Sequence, residues 1–318
     1  MFKKIAAALV MGVLSAAAVA QPYPSKPITL VIPFPAGGVT DVVGRVVAAK
    51  LRTELGQTVV VDNKPGASGV LGSSIVAKAA PDGYTVLLGN ISTLSTNAAT
   101  FAKLPYDPAT SFAPVSMLAV QPLVVAVHPS IPAQSLAELI KLAKDKPGGL
   151  SYGTAGSSIH LAVELFNSIN GIKMLHVPYK GSAPAITDLI GGQVNLLFDP
   201  ISTLYPQVRG GKVRGLAVTT GTRSAAAPEL PTVIESGVSG YDVSSWQALV
   251  VPAGTPPEVI ARLNGAVAKV LALPETKEQF EKQGAQPSAS TPEQAAQHIR
   301  SEIARWKKVA QEAGVKPE

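Results

Sequence analysis

The 318-residue chain carries a formal net charge of +6 and contains no cysteine. The missing thiols exclude disulfides, a thiolate metal site and a cysteine nucleophile. Lys and Arg residues are scattered along the chain and aromatic residues make up only 5% of it, a composition that argues against a nucleic-acid-binding surface.

The N-terminal segment is typical of a secretory signal peptide. Lys3 and Lys4 precede an apolar run over residues 5–14, and small residues then lead to an Ala-x-Ala site that ends at Ala20. This run is shorter than the roughly 20 apolar residues that a membrane-spanning helix needs. We therefore expect residues 1–20 to be a signal peptide that is cleaved after Ala20, with the mature protein exported to the periplasm of a Gram-negative bacterium.

Strand and helix signals alternate in the first third of the mature chain. Residues 28–33 and 57–61 are short apolar runs rich in β-branched residues, and apolar residues at helical spacing lie between them. Residues 72–80 are predicted to form a second helix and residues 84–88 a third strand. This β-α-β-α-β order predicts a parallel, doubly wound sheet.

A second series of the same kind follows. Its predicted strands cover residues 123–127, 150–153, 174–177, 194–198 and 216–219. One helix is predicted to begin at Ser135, and two more are predicted over residues 161–169 and 184–190. Ser135 is followed three residues later by a glutamate, which is the spacing of a capping box.

The rest of the chain is predicted to be helical and to cover the first sheet. Thr255 and Thr291 are candidate N-caps, because each is followed by a proline at the first helical position. We therefore assign residues 21–121 and 243–318 to one discontinuous domain and residues 122–242 to an inserted domain. The two chain crossings between these domains would form a hinge.

Three glycine-bearing loops, residues 33–41, 153–160 and 177–185, each connect a strand to a helix. In open α/β sheets such loops lie at the carboxyl ends of the strands, and the positive end of each following helix favours an anion. Hydrogen bonds to a charged group contribute about 1.5–3 kcal/mol each, so three or four supply the roughly 8 kcal/mol of micromolar binding. Because none of these loops has the Walker pattern, we expect a carboxylate rather than a phosphate. The residues assigned to the anion end are Gly37, Gly38, Ser157, Ser158, Gly181 and Ala183.

Several polar or aromatic residues have two possible roles. Asp199 follows an apolar strand, where it either accepts a hydrogen bond from a ligand hydroxyl or amine or caps the next turn. Asp41 is interpreted as a capping residue of the first helix. His160 is expected to pack or bond beneath its loop, with ligand contact as the alternative, and Trp246 either walls the cleft or is buried between the domains.

The sequence offers little for catalysis. No serine lies in a G-x-S-x-G elbow, and the four histidines have neither metal-ligand spacing nor a flanking pair of carboxylates. We therefore expect a binding protein that is not an enzyme and that needs no metal or cofactor.

The chain resembles the Bug receptors, the substrate-binding proteins of tripartite tricarboxylate transporters. The resemblance covers essentially the whole mature chain and includes PFPAGGVTD at residues 33–41, HVPYKG at residues 176–181 and PAGTP at residues 252–256. It implies a two-domain, type II periplasmic-binding-protein (Venus-flytrap) fold, with a ligand carboxylate held by the three loops and partly through ordered water. It also implies transfer of the ligand to a membrane permease of one large and one small subunit.

One segment departs from the family pattern. In residues 89–107 Ser92 and Thr93 match a hydroxyl pair, but Ser95 stands where the family often has a histidine. Ser92 and Thr93, with Asp199, are therefore candidates for the far end of the ligand. The identity of the ligand stays open, because the ligands of the family include di- and tricarboxylates, acidic amino acids, aromatic carboxylates and some uncharged compounds. We expect a monomeric carboxylate receptor. A ligand-sensing subunit for a signalling partner and an exported hydrolase are the alternatives.

Overall fold

The computed structural model describes residues 22–315 and residue 317. The predicted signal peptide and its cleavage site lie outside these residues. Within the described part of the chain, no helix combines the length and the apolar character that crossing a membrane requires.

Strands and helices alternate through most of the molecule. The strands are β1 (Ile28–Ile32), β2 (Val59–Asn63), β3 (Thr85–Asn90), β4 (Phe112–Val127), β5 (Ser151–Thr154), β6 (Leu175–Pro178), β7 (Leu196–Pro200), β8 (Arg214–Val218), β9 (Ser244–Pro252) and β10 (Gln286–Pro287). The helices are α1 (Val39–Leu55), α2 (Val70–Ala77), α3 (Asn97–Thr100), α4 (Leu136–Asp145), α5 (Ser157–Asn170), α6 (Ser182–Ile190), α7 (Ile201–Arg209), α8 (Pro257–Ala272), α9 (Pro274–Glu281) and α10 (Pro292–Glu312). A 3-10 turn covers Ala67–Gly69 and a π-helical turn covers Ser92–Thr96.

One mixed sheet runs through the molecule in the order β2-β1-β3-β9-β4-β7-β5-β6, and β8 and β10 also pair with β4. Strands β1 to β3 are parallel, as are β5 to β7. These are the two parallel blocks that the sequence predicts. The strands between them, β4 and β9, run antiparallel to their neighbours, so the α/β class is confirmed while the sheet as a whole is mixed.

Strand β4 is longer than predicted and is shared by both blocks. The sequence indicates a strand only over residues 123–127, but β4 begins at Phe112. Pro114 and Pro122 obscure its first part, because proline lacks the N–H that a central strand uses. The register against β9 shifts after Pro114, and β4 pairs with β7 over its last five residues and with β8 over its last four. The predicted domain boundary after residue 121 falls inside this strand and stays a prediction.

The apolar core has one cluster that includes side chains from both blocks. Leu87 of β3, Phe198 of β7 and Trp306 of α10 belong to it. Two smaller clusters each belong to one block, the first around α1 and α8 and the second around α6 and α7. Helix α10 packs on β4, on the π-helical turn and on α5. The C-terminal helix therefore contacts elements of both blocks.

Two of the three predicted helix starts are confirmed. The hydroxyl of Ser135 accepts a hydrogen bond from the backbone N–H three residues on, at 3.2 Å, and Thr291 forms a complete capping box. The prediction of Thr255 as an N-cap is wrong. Helix α8 begins at Pro257 with Pro256 as its N-cap, because the hydroxyl of Thr255 donates to a preceding backbone carbonyl instead.

Candidate functional site

A cavity of about 190 Å³ lies between the two parallel blocks. Below it is called the central cavity. Its lining residues are Phe34, Asn90, Ile91, Ser92, Leu123, Ala155, Ser158, Ile159, Ser182, Pro200, Val243, Ser244 and Ser245. Most of them follow the carboxyl ends of strands in the two blocks, which is where ligands of α/β proteins bind. The described residues that line it supply hydroxyl, amide and apolar groups, and none has an ionisable side chain.

Ser92 and Ser158 face each other across the central cavity, with 3.4 Å between their hydroxyl oxygens. The side-chain oxygen of Asn90 accepts hydrogen bonds from the backbone N–H groups of Ser92 and Thr93 and thereby holds the π-helical turn. Thr93 is fully buried, and its hydroxyl accepts a hydrogen bond from the N–H of Asn90. Of the predicted hydroxyl pair, only Ser92 reaches the cavity. Asn90 was not predicted, although it ends a strand.

The first glycine loop is bound to a carboxylate of its own helix. Gly37 has a φ of +85°, and its N–H donates to Asp41 at 2.9 Å. Asp41 also accepts from Arg45 and Asn63, each at 2.9 Å. Burial alone would raise the pKa of Asp41, but these hydrogen bonds outweigh it and hold the pKa below its usual range. Asp41 thus lies in the first turn of α1, as predicted, but it binds the loop N–H of Gly37, and the N-cap Gly38 has no side-chain cap. Gly37 and Gly38 are exposed and do not line the central cavity.

The second loop places its two serines on different cavities. Gly156, with a φ of +117°, is the N-cap of α5, and Ser158 lines the central cavity. Ser157 lines a neighbouring cavity of about 220 Å³. The hydroxyl oxygen of Ser157 is buried without a hydrogen-bond partner among the described residues. No acidic side chain lies in the first turn of α5, so the positive end of this helix carries no opposing charge.

The third loop contributes Ser182, which the sequence prediction did not include. Gly181 is the N-cap of α6, and the exposed Ala183 does not line the central cavity. The hydroxyl of Ser182 donates to Asp199 at 2.8 Å, and so does the hydroxyl of Thr203. Asp199 is 1% exposed, and burial raises its pKa to about 6 although both hydroxyls lower it.

Asp199 therefore bonds to side chains on two helices. The N-cap of α7 is Pro200, which has no side-chain cap. Asp199 thus does not cap the backbone of the next turn. Through Ser182 it lies one hydroxyl away from the central cavity.

Two histidines stack beneath the second loop. The ring centroids of His160 and His176 are 3.9 Å apart with 13° between the ring planes, and His176 bonds to the hydroxyl of Thr154 at 2.7 Å. Burial lowers the pKa of His160, and burial together with the neighbouring imidazole lowers that of His176 to about 4. Both rings are neutral at pH 7, and His160 packs beneath its loop as expected.

Acidification is expected to destabilise the protein through this pair. An unfolded chain protonates its histidines near pH 6.5, whereas folded His176 does so near pH 4. The unfolded state thus binds more protons between these values, so stability is complete above about pH 6.5 and falls as the pH drops toward 4. Between pH 7.5 and 4.5, urea unfolding should show a smaller decrease in the free energy of unfolding for His176→Asn than for wild type. Equal decreases would mean that His176 does not cause the loss of stability in acid.

Trp246 does not wall the cavity. It is fully buried, and its indole N–H donates to Glu302 at 3.1 Å. The indole of Trp306 donates to the same carboxylate oxygen at 2.9 Å. The preceding Ser244 and Ser245 line the central cavity instead. The alternative of a buried tryptophan is therefore the correct one.

Comparison with known proteins identifies the family. Residues 43–315 match the sequence model of the tripartite tricarboxylate transporter family receptor. The chain belongs to this family. This receptor is 39% identical to protein BugT of Bordetella pertussis over 300 residues, which cover 93% of this chain and 92% of BugT.

Solved structures confirm the fold. The receptor superposes on the structure of Rpa4515 from R. palustris, which was solved with adipate, at a TM-score of 0.82. The two chains are 41% identical, and the match covers 93% of this chain and 100% of Rpa4515. For the periplasmic binding protein BugD the TM-score is 0.78 and the identity 35%, with coverages of 93% and 100%. The predicted resemblance to the Bug receptors and the periplasmic-binding-protein fold are both confirmed. The family is one of transporter receptors, and BugD is a periplasmic binding protein.

Proposed function

We propose that the protein is a periplasmic receptor that captures a small carboxylate in the central cavity and delivers it to a membrane permease of one large and one small subunit. The observation that carries this proposal is the cavity itself, which lies at the strand ends of two parallel blocks and is lined by hydroxyl and amide groups. Family membership supports the transport role, and a relative with 41% identity holds adipate. We further propose that the protein acts as a monomer after cleavage behind Ala20.

The carboxylate would bind at the start of α5. The first three N–H groups of a helix have no intrahelical partner and carry a partial positive charge. The hydroxyls of Ser158 and Ser92 lie beside this helix end. Each hydrogen bond from such a donor to a carboxylate contributes about 1.5–3 kcal/mol, so the site reaches micromolar affinity without a buried Lys or Arg.

Capture would close the two domains, residues 21–121 with 243–318 and residues 122–242, over the ligand. Strands β4 and β9 are the connections on which these domains would turn. The hydroxyl contact between Ser92 and Ser158 spans the gap between the blocks, so a ligand that bonds to both serines would favour the closed state.

A thermal-shift screen of carboxylates, each paired with its primary amide, tests the proposal. A ligand that binds only the folded state stabilises it by about 2.7 kcal/mol at a concentration 100 times its Kd. We expect at least one acid to raise the melting temperature while its amide does not, and we expect the ligand to be recovered chemically unchanged. An amide that binds as well as its acid would contradict a carboxylate site, and accumulation of product would favour an enzyme.

A further inference from the structure

The three helix starts near the central cavity differ in the charge already beside them. At α1 the buried carboxylate of Asp41 accepts the loop N–H of Gly37. At α6 the first residue, Ser182, bonds to the buried carboxyl group of Asp199. Neither α5 nor α6 has an acidic residue in its first turn, but among the described residues no carboxylate bonds to the hydroxyls of Ser157 and Ser158 at the start of α5. Because a carboxylate already opposes the positive end at α1 and α6, the start of α5 is the most favourable place for the anionic end of a ligand.

Asp199 fixes the direction of the hydrogen bond at Ser182. A serine hydroxyl has one proton and two lone pairs, and here the proton points to Asp199 at 2.8 Å. The pKa of about 6 leaves Asp199 ionised at pH 7.5. The hydroxyl of Ser182 therefore presents only its oxygen lone pairs to the central cavity, which this residue lines.

Among the described residues, no basic side chain forms an ion pair with Asp199. Within residues 22–315, the ion pairs involve other carboxylates and leave Asp199 out. Its partners are the two hydroxyls of Ser182 and Thr203. The cavity wall at Ser182 thus combines a hydrogen-bond acceptor with a carboxylate behind it that pairs with no Lys, Arg or His side chain. Such a wall attracts a donor group and repels a carboxylate.

We infer that the ligand is a carboxylate that carries a hydrogen-bond donor, a hydroxyl or an ammonium group, at its other end. Its carboxylate binds at the start of α5 beside Ser158, and its donor group bonds to Ser182. Asp199 acts as a positioning residue that sets this preference through Ser182. The inference rests on the proposed function and adds the ligand class and its orientation.

Calorimetric titrations at pH 7.5 test the preference with matched probes. The probes are unbranched carboxylates of four, five and six carbons whose far end is a methyl, a hydroxyl, an ammonium or a second carboxylate group. At the best-fitting length, we expect the hydroxyl and ammonium forms to bind about tenfold tighter than the methyl and dicarboxylate forms, the difference that one hydrogen bond makes.

Two variants separate positioning from a structural effect. In Asp199→Asn the side-chain amide can donate to Ser182, which frees the serine proton for the cavity. We expect this variant to bind the dicarboxylate about tenfold tighter than wild type and to lose the preference for donor groups. Ser182→Ala should lose the donor preference without gaining the dicarboxylate. Melting temperatures without ligand establish that both variants are folded.

The possible outcomes separate this inference from the proposed function. Equal affinities for the four end groups in wild type, or an Asp199→Asn change that alters all four alike, would overturn the inference and leave carboxylate capture intact. If the wider screen finds only ligands without a donor group, the inference is also wrong. An amide that binds as tightly as its acid would instead contradict the proposed function.

Discussion

Replacing Glu302 by alanine is expected to lower the free energy of unfolding by about 2 to 6 kcal/mol, because each of two buried indole N–H groups left without an acceptor costs about 1–3 kcal/mol. Trp246 and Trp306 both donate to one oxygen of this carboxylate, at 3.1 and 2.9 Å. Both indoles are fully buried and Glu302 is 8% exposed, so the two N–H groups lie away from bulk solvent. Helix α10 is thereby tied to strand β9, directly behind the wall of the central cavity.

Glu302→Gln is the matched control. It keeps an oxygen for the two indoles and loses only the charge, so we expect a cost of about 1 kcal/mol. Urea unfolding followed by intrinsic fluorescence measures both variants, because the chain contains only two tryptophans. If alanine and glutamine at this position destabilise the protein equally, the shared acceptor is not what stabilises this part of the core.

Replacing Ser158 by proline is expected to weaken carboxylate binding at least 10- to 150-fold, because the lost backbone hydrogen bond to a charged group alone contributes about 1.5–3 kcal/mol. Proline is tolerated in the first turn of a helix, where the N–H has no intrahelical partner. Ser158 is the second residue of α5 and lines the central cavity. The substitution therefore removes the backbone N–H, together with the hydroxyl, without removing a backbone hydrogen bond of the helix.

Ser158→Ala removes the same hydroxyl but keeps the N–H. We expect it to cost about 0.5–1.5 kcal/mol of binding free energy, as for a neutral hydrogen bond. Calorimetric titration of the carboxylate found in the screen compares the two variants, with melting temperatures as the control for folding. Equal losses in both would mean that the hydroxyl, and not the backbone, contacts the ligand.

Sequence periodicity predicts the two parallel blocks but not the strands that join them. Strand β9 (Ser244–Pro252) was missed because its apolar run, buried on both faces, has no alternation to distinguish a strand from a buried helix. Strand β4 was recognised only over its last residues because Pro114 and Pro122 interrupt its pattern. Helix α7 also contains a proline, Pro206, and was not predicted. In each case tertiary packing overrides the local signal.

The candidate site was predicted at the level of loops rather than atoms. Glycines between a strand and a helix correctly indicate three helix starts near one cavity. They do not reveal that Asp41 already occupies the N–H of Gly37, or that Ser182 reaches the cavity while Ala183 does not. The bond from Ser182 to Asp199 depends on how α6 packs beside β7, which no local pattern encodes.

A crystal structure of the protein with the tightest-binding carboxylate from the screen tests the central claim most directly. The account predicts the ligand in the central cavity, with its carboxylate oxygens about 3 Å from the first N–H groups of α5 and within hydrogen-bond distance of the hydroxyls of Ser92 and Ser158. A ligand bound outside this cavity, or one whose carboxylate contacts Ser182 beside Asp199 instead of the start of α5, would contradict it.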